Sequence, residues 1–325
     1  MVQELSAALG RTVALCAAVL PVMLLGCLAG SVLTSSRAGQ RCGALCSPVA
    51  RLAGLDRYGS TYLVLCFLNF NAANAYLASL IRAGRVRKSG LLGVYLAGWL
   101  PASCHYYVFY FAPILLPALG VGTAGLVLAL YVAASLAIFA AGAALNRAQG
   151  SMGSGSDNSA GPQPLDWPAW PGWRSVLRQG GRQFAGIAAV FASCILVVEL
   201  VIASPPARAL LDMIQPAIAW TGAPPASALV VAAALPSAMG GFAVAIACLG
   251  DSLLSLAQLP VVLMAAALGH AVFSAFTHFL PANVAIFGPT AGARLTFTSL
   301  CVRLPCLILA LVAAWLLTAM PTIPG

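Results

Sequence analysis

The sequence predicts an all-α, polytopic membrane protein built from two internal repeats. Hydrophobic residues make up 61% of its 325 residues and charged residues only 7%. Soluble domains carry about 25% charged residues because their surface faces water. The repeats are indicated by landmarks that recur 168 residues later, since Pro48 matches Pro216 and Gly120 matches Gly288. The long apolar blocks coincide under the same offset.

The spanning elements are predicted from apolar runs that reach or approach the roughly 20 residues a helix needs to cross the hydrocarbon core. The first, 12–34, contains no charged residue. The other clear candidates are 62–81, 184–203, 226–249 and the shorter 304–320. With the remaining hydrophobic stretches of each repeat, they indicate about eight spans.

The domain boundaries follow from a change in composition near the middle of the chain. We expect a first membrane repeat at 1–147, a linker at 148–173 and a second membrane repeat at 174–325. Residues 150–159 are mostly glycine and serine, which is typical of a flexible connection. The three tryptophans that follow alternate with prolines, and tryptophan favours the headgroup boundary.

Each repeat also contains a short stretch whose placement decides how the repeats are related. The stretches 46–56 and 207–222 are too short to cross the membrane, so they lie at its interface or re-enter it. The repeats are parallel if all of the remaining segments of each copy cross the membrane. They are inverted if one segment of each copy is re-entrant, and both alternatives remain open.

The net charge of +9 does not indicate a nucleic-acid partner, because the basic residues lie at span ends. The clusters at 82–88 and 174–182 mark the cytoplasmic side and contact anionic lipid headgroups. We therefore expect a cytoplasmic linker and N-terminus, with the lipid bilayer as a partner. All basic residues except Lys88 are arginine, a bias typical of a GC-rich bacterial genome, which indicates a multi-pass protein of the bacterial inner membrane.

Three asparagines are candidates for a solute path through the first repeat. Asn69, Asn71 and Asn74 lie in the middle of an otherwise apolar run. An amide without a partner in hydrocarbon costs about 4–8 kcal/mol, and a regular helix would struggle to satisfy all three.

The matching place in the second repeat contains Pro236, Ser237, Gly240 and Gly241. Proline removes a hydrogen-bond donor and the glycines loosen the backbone, so this helix is predicted to be broken. Interrupted helices at corresponding places of two repeats indicate a transport site, and we expect the two breaks to face each other. The alternative is that these small and polar residues pack helices together.

Three ionisable residues are further candidates for the path. Glu199 lies within an apolar run, where a charged carboxylate costs about 2.5–3.5 kcal/mol on insertion scales. It therefore faces a cavity or a partner, or reaches water at the span end. His105 and His278 could relay protons or contact the solute, because imidazole titrates near neutral pH. The alternative is a structural, hydrogen-bonded histidine.

Motifs for catalysis, cofactors and metals are not found. The sequence contains no GxxxxGK[ST], HExxH or GxSxG motif. Most of its ten cysteines fall inside predicted spans, where cysteine is usually a small apolar residue. Only Cys42 and Cys46 lie in a polar loop, and they lack a second pair of ligands. We therefore expect no catalytic residues, no cofactor, no metal site and no enzymatic activity.

Two spacings carry a resemblance to a known family. They are His105-(x7)-Pro113-(x6)-Gly120-(x4)-Gly125 and His270-(x10)-Pro281-(x6)-Gly288-(x3)-Gly292. They resemble the nucleoside-recognition or gate domain found in bacterial ferrous-iron transporters, spore maturation membrane proteins and part of the concentrative nucleoside transporters. The resemblance implies two gate-type repeats and a membrane pathway for a small solute, without fixing the substrate. Unlike the iron transporters, this sequence contains no GTPase domain.

The sequence as a whole predicts a transporter or permease for a small polar solute or ion, bound between the two repeats. A homo-oligomer or a second membrane subunit could complete such a system. The alternative is a non-transporting membrane subunit that acts in envelope assembly or maturation.

Overall fold

The computed structural model describes residues 48–55, 57–82, 84, 86–149, 172–203 and 224–319, together with single helical residues between 6 and 28. The predicted short stretch at 207–222 and most of the predicted linker lie outside the described residues. The helices on either side bracket the linker, because one ends at Gln149 and the next begins at Trp173.

The described part of the chain is helical and contains no β-strand. In chain order, its α-helices are α1 (Arg57–Leu68), α2 (Phe70–Arg82), α3 (Leu91–Ala97), α4 (Trp99–Tyr106), α5 (Ala112–Gln149), α6 (Trp173–Ala203), α7 (Ala226–Ala234), α8 (Ala238–Gly250), α9 (Leu259–Ser274), α10 (Leu280–Phe287) and α11 (Pro289–Ala319). Two π-helical segments, Tyr107–Phe111 and Ala275–Phe279, precede α5 and α10. Such π turns are rare and are often found at functional sites.

The chain is that of a helical membrane protein. Within the described ranges, three helical stretches are long and apolar enough to cross a bilayer: Lys88–Gln149, which is kinked at Gly120, Leu259–Phe287 and Pro289–Thr318. Large apolar side chains stay exposed on the last of these, including Leu309 and Trp315. A surface of this kind is favourable in lipid and unfavourable in water.

The order of elements in the first half recurs in the second with an offset of 168 residues. α2 begins at Phe70 and α8 at Ala238, and the two π-helical segments are displaced by the same number. Gly120 and Gly288 also correspond, with φ/ψ of 72°/163° and 86°/164°. Only glycine adopts this backbone conformation readily. Each glycine therefore ends one apolar helix and redirects the chain into the next.

The predicted spans at 62–81 and 226–249 are each two short helices rather than one crossing helix. α1 packs against α2, and α7 packs against α8. The hydroxyl of Tyr62 reaches the side chain of Asn74, twelve residues away, which a straight helix would not permit. We call α1 with α2 hairpin 1, and α7 with α8 hairpin 2. The longest arm has 13 residues, or about 20 Å, too short for a hydrocarbon core of about 30 Å.

The two halves hold each other's hairpins through aromatic side chains. Phe279, at the end of the second π-helical segment, packs edge-on against Phe70 of hairpin 1 with ring centroids 6.2 Å apart. Phe111, its counterpart in the first half, packs edge-on against Phe242 of hairpin 2 at 4.7 Å. α2 correspondingly packs on α10, and α8 on α5. The hairpins lie in two separate apolar clusters, and each packs on a helix of the other half.

Candidate functional site

Hairpin 1 turns at Asn69, and its three asparagines have different roles. The side-chain oxygen of Asn69 accepts a hydrogen bond from the backbone N–H of Ala72 at 3.0 Å. This is an N-cap, which satisfies a donor in the first turn of α2. Asn74 is 2% exposed and accepts from the Tyr62 hydroxyl at 3.2 Å, so it joins the two arms. Asn71 is exposed. Asn69 is exposed as well, but its side-chain oxygen is engaged in the cap, whereas Asn71 makes no such hydrogen bond within the described ranges.

Hairpin 2 turns at Pro236 and Ser237, as the sequence predicts. Ser237 is extended, with φ −155° and ψ 121°, and its side chain makes no capping hydrogen bond to α8. Gly241 is buried where the arms meet, and a Cβ atom there would lie 2.6 Å from the Cβ of Ala234. Gly240 is buried beside it. The two glycines therefore allow close packing, whereas the N-terminus of α8 stays without a side-chain cap.

His270 of α9 completes the turn of hairpin 2. Its Nδ1 lies 2.9 Å from the carbonyl oxygen of Ala234 and 3.0 Å from that of Leu235. Carbonyls only accept, so Nδ1 carries the proton and donates to both. These carbonyls end α7, where the break removes helical partners. A cavity of about 10 Å³ lies beside the ring, enough for about one water molecule, and Tyr131 of the first half contributes to its wall.

The predicted residues His105 and His278 make no hydrogen bond to this turn within the described ranges, and His278 lies within electrostatic range of His270. His105 is 7% exposed, and its Nδ1 is buried without a hydrogen-bond partner in the described residues. Its ring packs against Phe67 and Phe109, with centroids 5.5 and 5.1 Å away. His278 is exposed and its Nδ1 lies 2.7 Å from the hydroxyl of its neighbour Thr277. Glu199 is within α6, and its side chain lies outside the described residues.

Arg303 is a buried charged residue that the sequence interpretation missed. It is 5% exposed, and its guanidinium carbon lies 3.7 Å from the ring centroid of Trp99 and 5.1 Å from that of Phe279. The predicted span 304–320 begins just after Arg303 and so places it at a span end. In the structure α11 runs from Pro289 to Ala319, which places Arg303 in its middle. A sequence search that allowed one charge inside a span would have found it.

The surroundings of Arg303 combine groups from both halves. Trp99 belongs to α4, whereas Phe279 and Arg303 belong to the second half. Tyr95, Tyr107 and His270 lie within electrostatic range of the guanidinium. No hydrogen bond or ion pair of Arg303 occurs within the described ranges, and its Nε is enclosed without a partner.

Hydrogen bonds fix the two tyrosines near Arg303. The Tyr107 hydroxyl lies 2.7 Å from that of Ser135 and donates to the carbonyl of Tyr131 at 3.2 Å. The amide of Asn283 lies 3.4 Å from the Tyr95 hydroxyl and donates to Thr296 at 2.9 Å. A band of polar groups therefore crosses the junction of the halves inside an otherwise apolar protein. Sequence reasoning missed it because its members come from distant segments.

The described residues contain no group of three or more His, Cys, Asp or Glu side chains that could hold a metal ion. The band offers a cation, hydroxyl groups and an imidazole, which suit a polar or anionic solute better than a metal. No protein-family model, no curated protein and no solved structure matches the chain.

Proposed function

We propose that the protein is a transporter or permease of the bacterial inner membrane, which moves a small polar solute or ion along the junction of two gate-type repeats. The observation that carries the proposal is hairpin 2, a break inside apolar surroundings at which α8 begins without a side-chain cap. Broken helices bind solutes and coupling ions through freed backbone groups. His270 donates to the carbonyl groups that end α7. The backbone N–H groups that begin α8 are left to bind a ligand.

The recurrence of structure supports duplication of one ancestral unit. A hairpin, a π-helical segment and a positive-φ glycine all recur at a single offset, which is hard to reconcile with chance similarity between two apolar sequences. The halves differ where function is expected to differ. Asn69 caps hairpin 1, whereas hairpin 2 has no such cap.

The hairpins also suggest how the chain crosses the membrane. If each hairpin re-enters from one side, each half contributes three crossing helices and the repeats are inverted. In this arrangement the basic clusters at 82–88 and 174–182 lie on the same side of the membrane, together with Arg37, Arg41 and Arg294. The positive-inside rule makes this side cytoplasmic. The linker stays in the cytoplasm, as expected from the sequence, and the N-terminus moves to the opposite side.

This topology predicts which engineered cysteines react with a membrane-impermeant thiol reagent in intact cells. In variants that each keep a single cysteine, Ser252→Cys, in the loop after α8, is expected to be labelled from outside. Ser156→Cys in the linker and native Cys42 are expected to react only after the cells are opened. Labelling of Cys42 in intact cells would instead support parallel repeats with a cytoplasmic N-terminus.

Transport itself is tested with purified protein in vesicles, with uridine, succinate and ferrous iron as probes of three solute classes. Uptake above that of protein-free vesicles supports the proposal. Failure of all three, with a phenotype in envelope assembly when the gene is deleted, would favour the non-transporting subunit.

The asparagines separate a solute path from helix packing. Asn74→Leu is expected to lower the free energy of unfolding by about 1–3 kcal/mol, because the buried Tyr62 hydroxyl loses its acceptor. Asn71→Leu is expected to keep the melting temperature in detergent, since the residue is exposed, but to reduce uptake. Normal uptake by Asn71→Leu would remove this residue from the path.

A further inference from the structure

We propose that Arg303 recognises an anionic solute, one bearing a carboxylate, phosphate or similar oxyanion, at the junction of the two halves. The proposal rests on the proposed transport function and names the charge of its substrate. It is carried by a guanidinium that is 5% exposed, stacked on Trp99 and without a counter-charge among the described residues.

The position of Arg303 indicates a dissolved anion rather than a lipid headgroup. Arg303 lies 14 residues after Pro289, the first residue of α11, or about 21 Å along the helix. Headgroups lie at the two faces of the hydrocarbon core, which is about 30 Å thick. A charge in the middle of a spanning helix meets anions that enter the protein.

The energetics of the enclosed guanidinium favour an anionic partner. A charged arginine at the centre of a spanning helix costs about 2.5–3.5 kcal/mol on insertion scales. A desolvated cation–π contact stabilises the charge by about 2 kcal/mol, and Trp99 provides such a contact at 3.7 Å. The stacking does not satisfy the N–H donors of the guanidinium, which lie in its plane. An oxyanion that accepts two of them would complete the site.

The neighbours of Arg303 are suited to hold such an anion. The hydroxyl of Tyr95 comes from the first half, accepts from the amide of Asn283 and keeps its own proton to donate to an oxyanion. His270, which donates to the turn of hairpin 2, lies within electrostatic range of the guanidinium. An anion bound beside Arg303 would therefore change the electrostatic environment of the break, where we propose that solute passes.

The test uses the fluorescence of Trp99 as a local reporter. In a variant whose other tryptophans are replaced by phenylalanine, purified in a neutral detergent without lipid, Trp99 is quenched with iodide, caesium or acrylamide. Iodide is expected to quench more strongly than caesium. Arg303→Gln is expected to lower the iodide quenching constant at least threefold with acrylamide quenching unchanged, which also shows that the packing around Trp99 is intact.

Matched variants separate charge from other effects. Arg303→Lys is expected to retain most of the iodide quenching, and Arg294→Gln removes an exposed charge from the same helix and should change nothing. Equal iodide quenching in the parent and Arg303→Gln would overturn the proposal. Iodide quenching that emerges only in Glu199→Gln would also overturn it, because Arg303 would then be neutralised by that carboxylate.

Uptake into vesicles distinguishes this proposal from the transport proposal. Succinate or inorganic phosphate uptake that Arg303→Gln abolishes supports both. Iodide access to Trp99 without uptake of any solute would support the anion site and contradict the transport proposal. If neutral uridine is taken up and Arg303→Gln does not reduce its uptake, the transport proposal is supported and anion recognition is overturned.

Discussion

Replacing His270 with leucine is expected to destabilise hairpin 2 and to abolish solute uptake. The imidazole donates to the carbonyl oxygens of Ala234 and Leu235 where α7 ends. Leucine fits the apolar surroundings but leaves both carbonyls without this donor. A buried polar group that loses its partner costs about 1–3 kcal/mol, and water cannot easily replace the donor inside a membrane. The measurements are the melting temperature in detergent and uptake into vesicles.

Two variants make the His270 result specific. His270→Gln keeps an N–H donor of similar reach and is expected to melt between the parent and the leucine variant. His278→Leu alters an exposed histidine whose ring contacts its neighbour Thr277, so its melting temperature should match that of the parent. A His270→Leu variant as stable as the parent would show that the hydrogen bonds to α7 contribute nothing to the turn.

The membrane class and the positions of the breaks could be predicted from the sequence because both are local properties. An apolar run selects lipid wherever it occurs. Pro236, with Gly240 and Gly241 after it, favours an interruption of the helix, whereas Pro117 and Pro305 stay inside helices. The N-cap at Asn69 could also have been recognised, since asparagine is among the residues preferred at that position. The asparagines were interpreted together as a polar centre, whereas the structure gives each a different environment.

The folding back of the hairpins could not be predicted from hydropathy. An apolar run of about 20 residues fits one crossing helix and fits two shorter helices equally well. The decision depends on contacts such as the one between Tyr62 and Asn74, which join positions that periodicity treats as unrelated. In the topology that we propose, this one difference changes the number of crossings in each half from even to odd.

Arg303, and the hydrogen bonds of His270 to the end of α7, were missed for a similar physical reason. Their importance comes from partners that are far away in the sequence: Trp99 for the guanidinium, and the end of α7 for the imidazole. An arginine next to an apolar run is usually a span-end residue that reaches the headgroups. Only the continuation of α11 on both sides of Arg303 shows that this one is enclosed.

Replacing Gly241 with alanine is expected to separate the arms of hairpin 2, with loss of both stability and uptake. The added Cβ would lie 2.6 Å from the Cβ of Ala234 and 3.2 Å from its Cα. Both belong to the backbone region of α7, so no flexible side chain can move aside. Overpacking of this kind costs about 1–3 kcal/mol. Helix propensity alone predicts the opposite, since alanine is favoured over glycine by about 1 kcal/mol.

A second substitution can return the space that this methyl group occupies. Ala234→Gly combined with Gly241→Ala is expected to recover much of the melting temperature and uptake, less about 1 kcal/mol for a glycine in α7. Gly250→Ala, on the same helix with no atom near its Cβ position, serves as the control and should not be destabilised. Packing of the arms then explains both the loss and the rescue. If the single variant were instead more stable and still active, close contact of the arms would not be required, and the turn of hairpin 2 could not be the transport site.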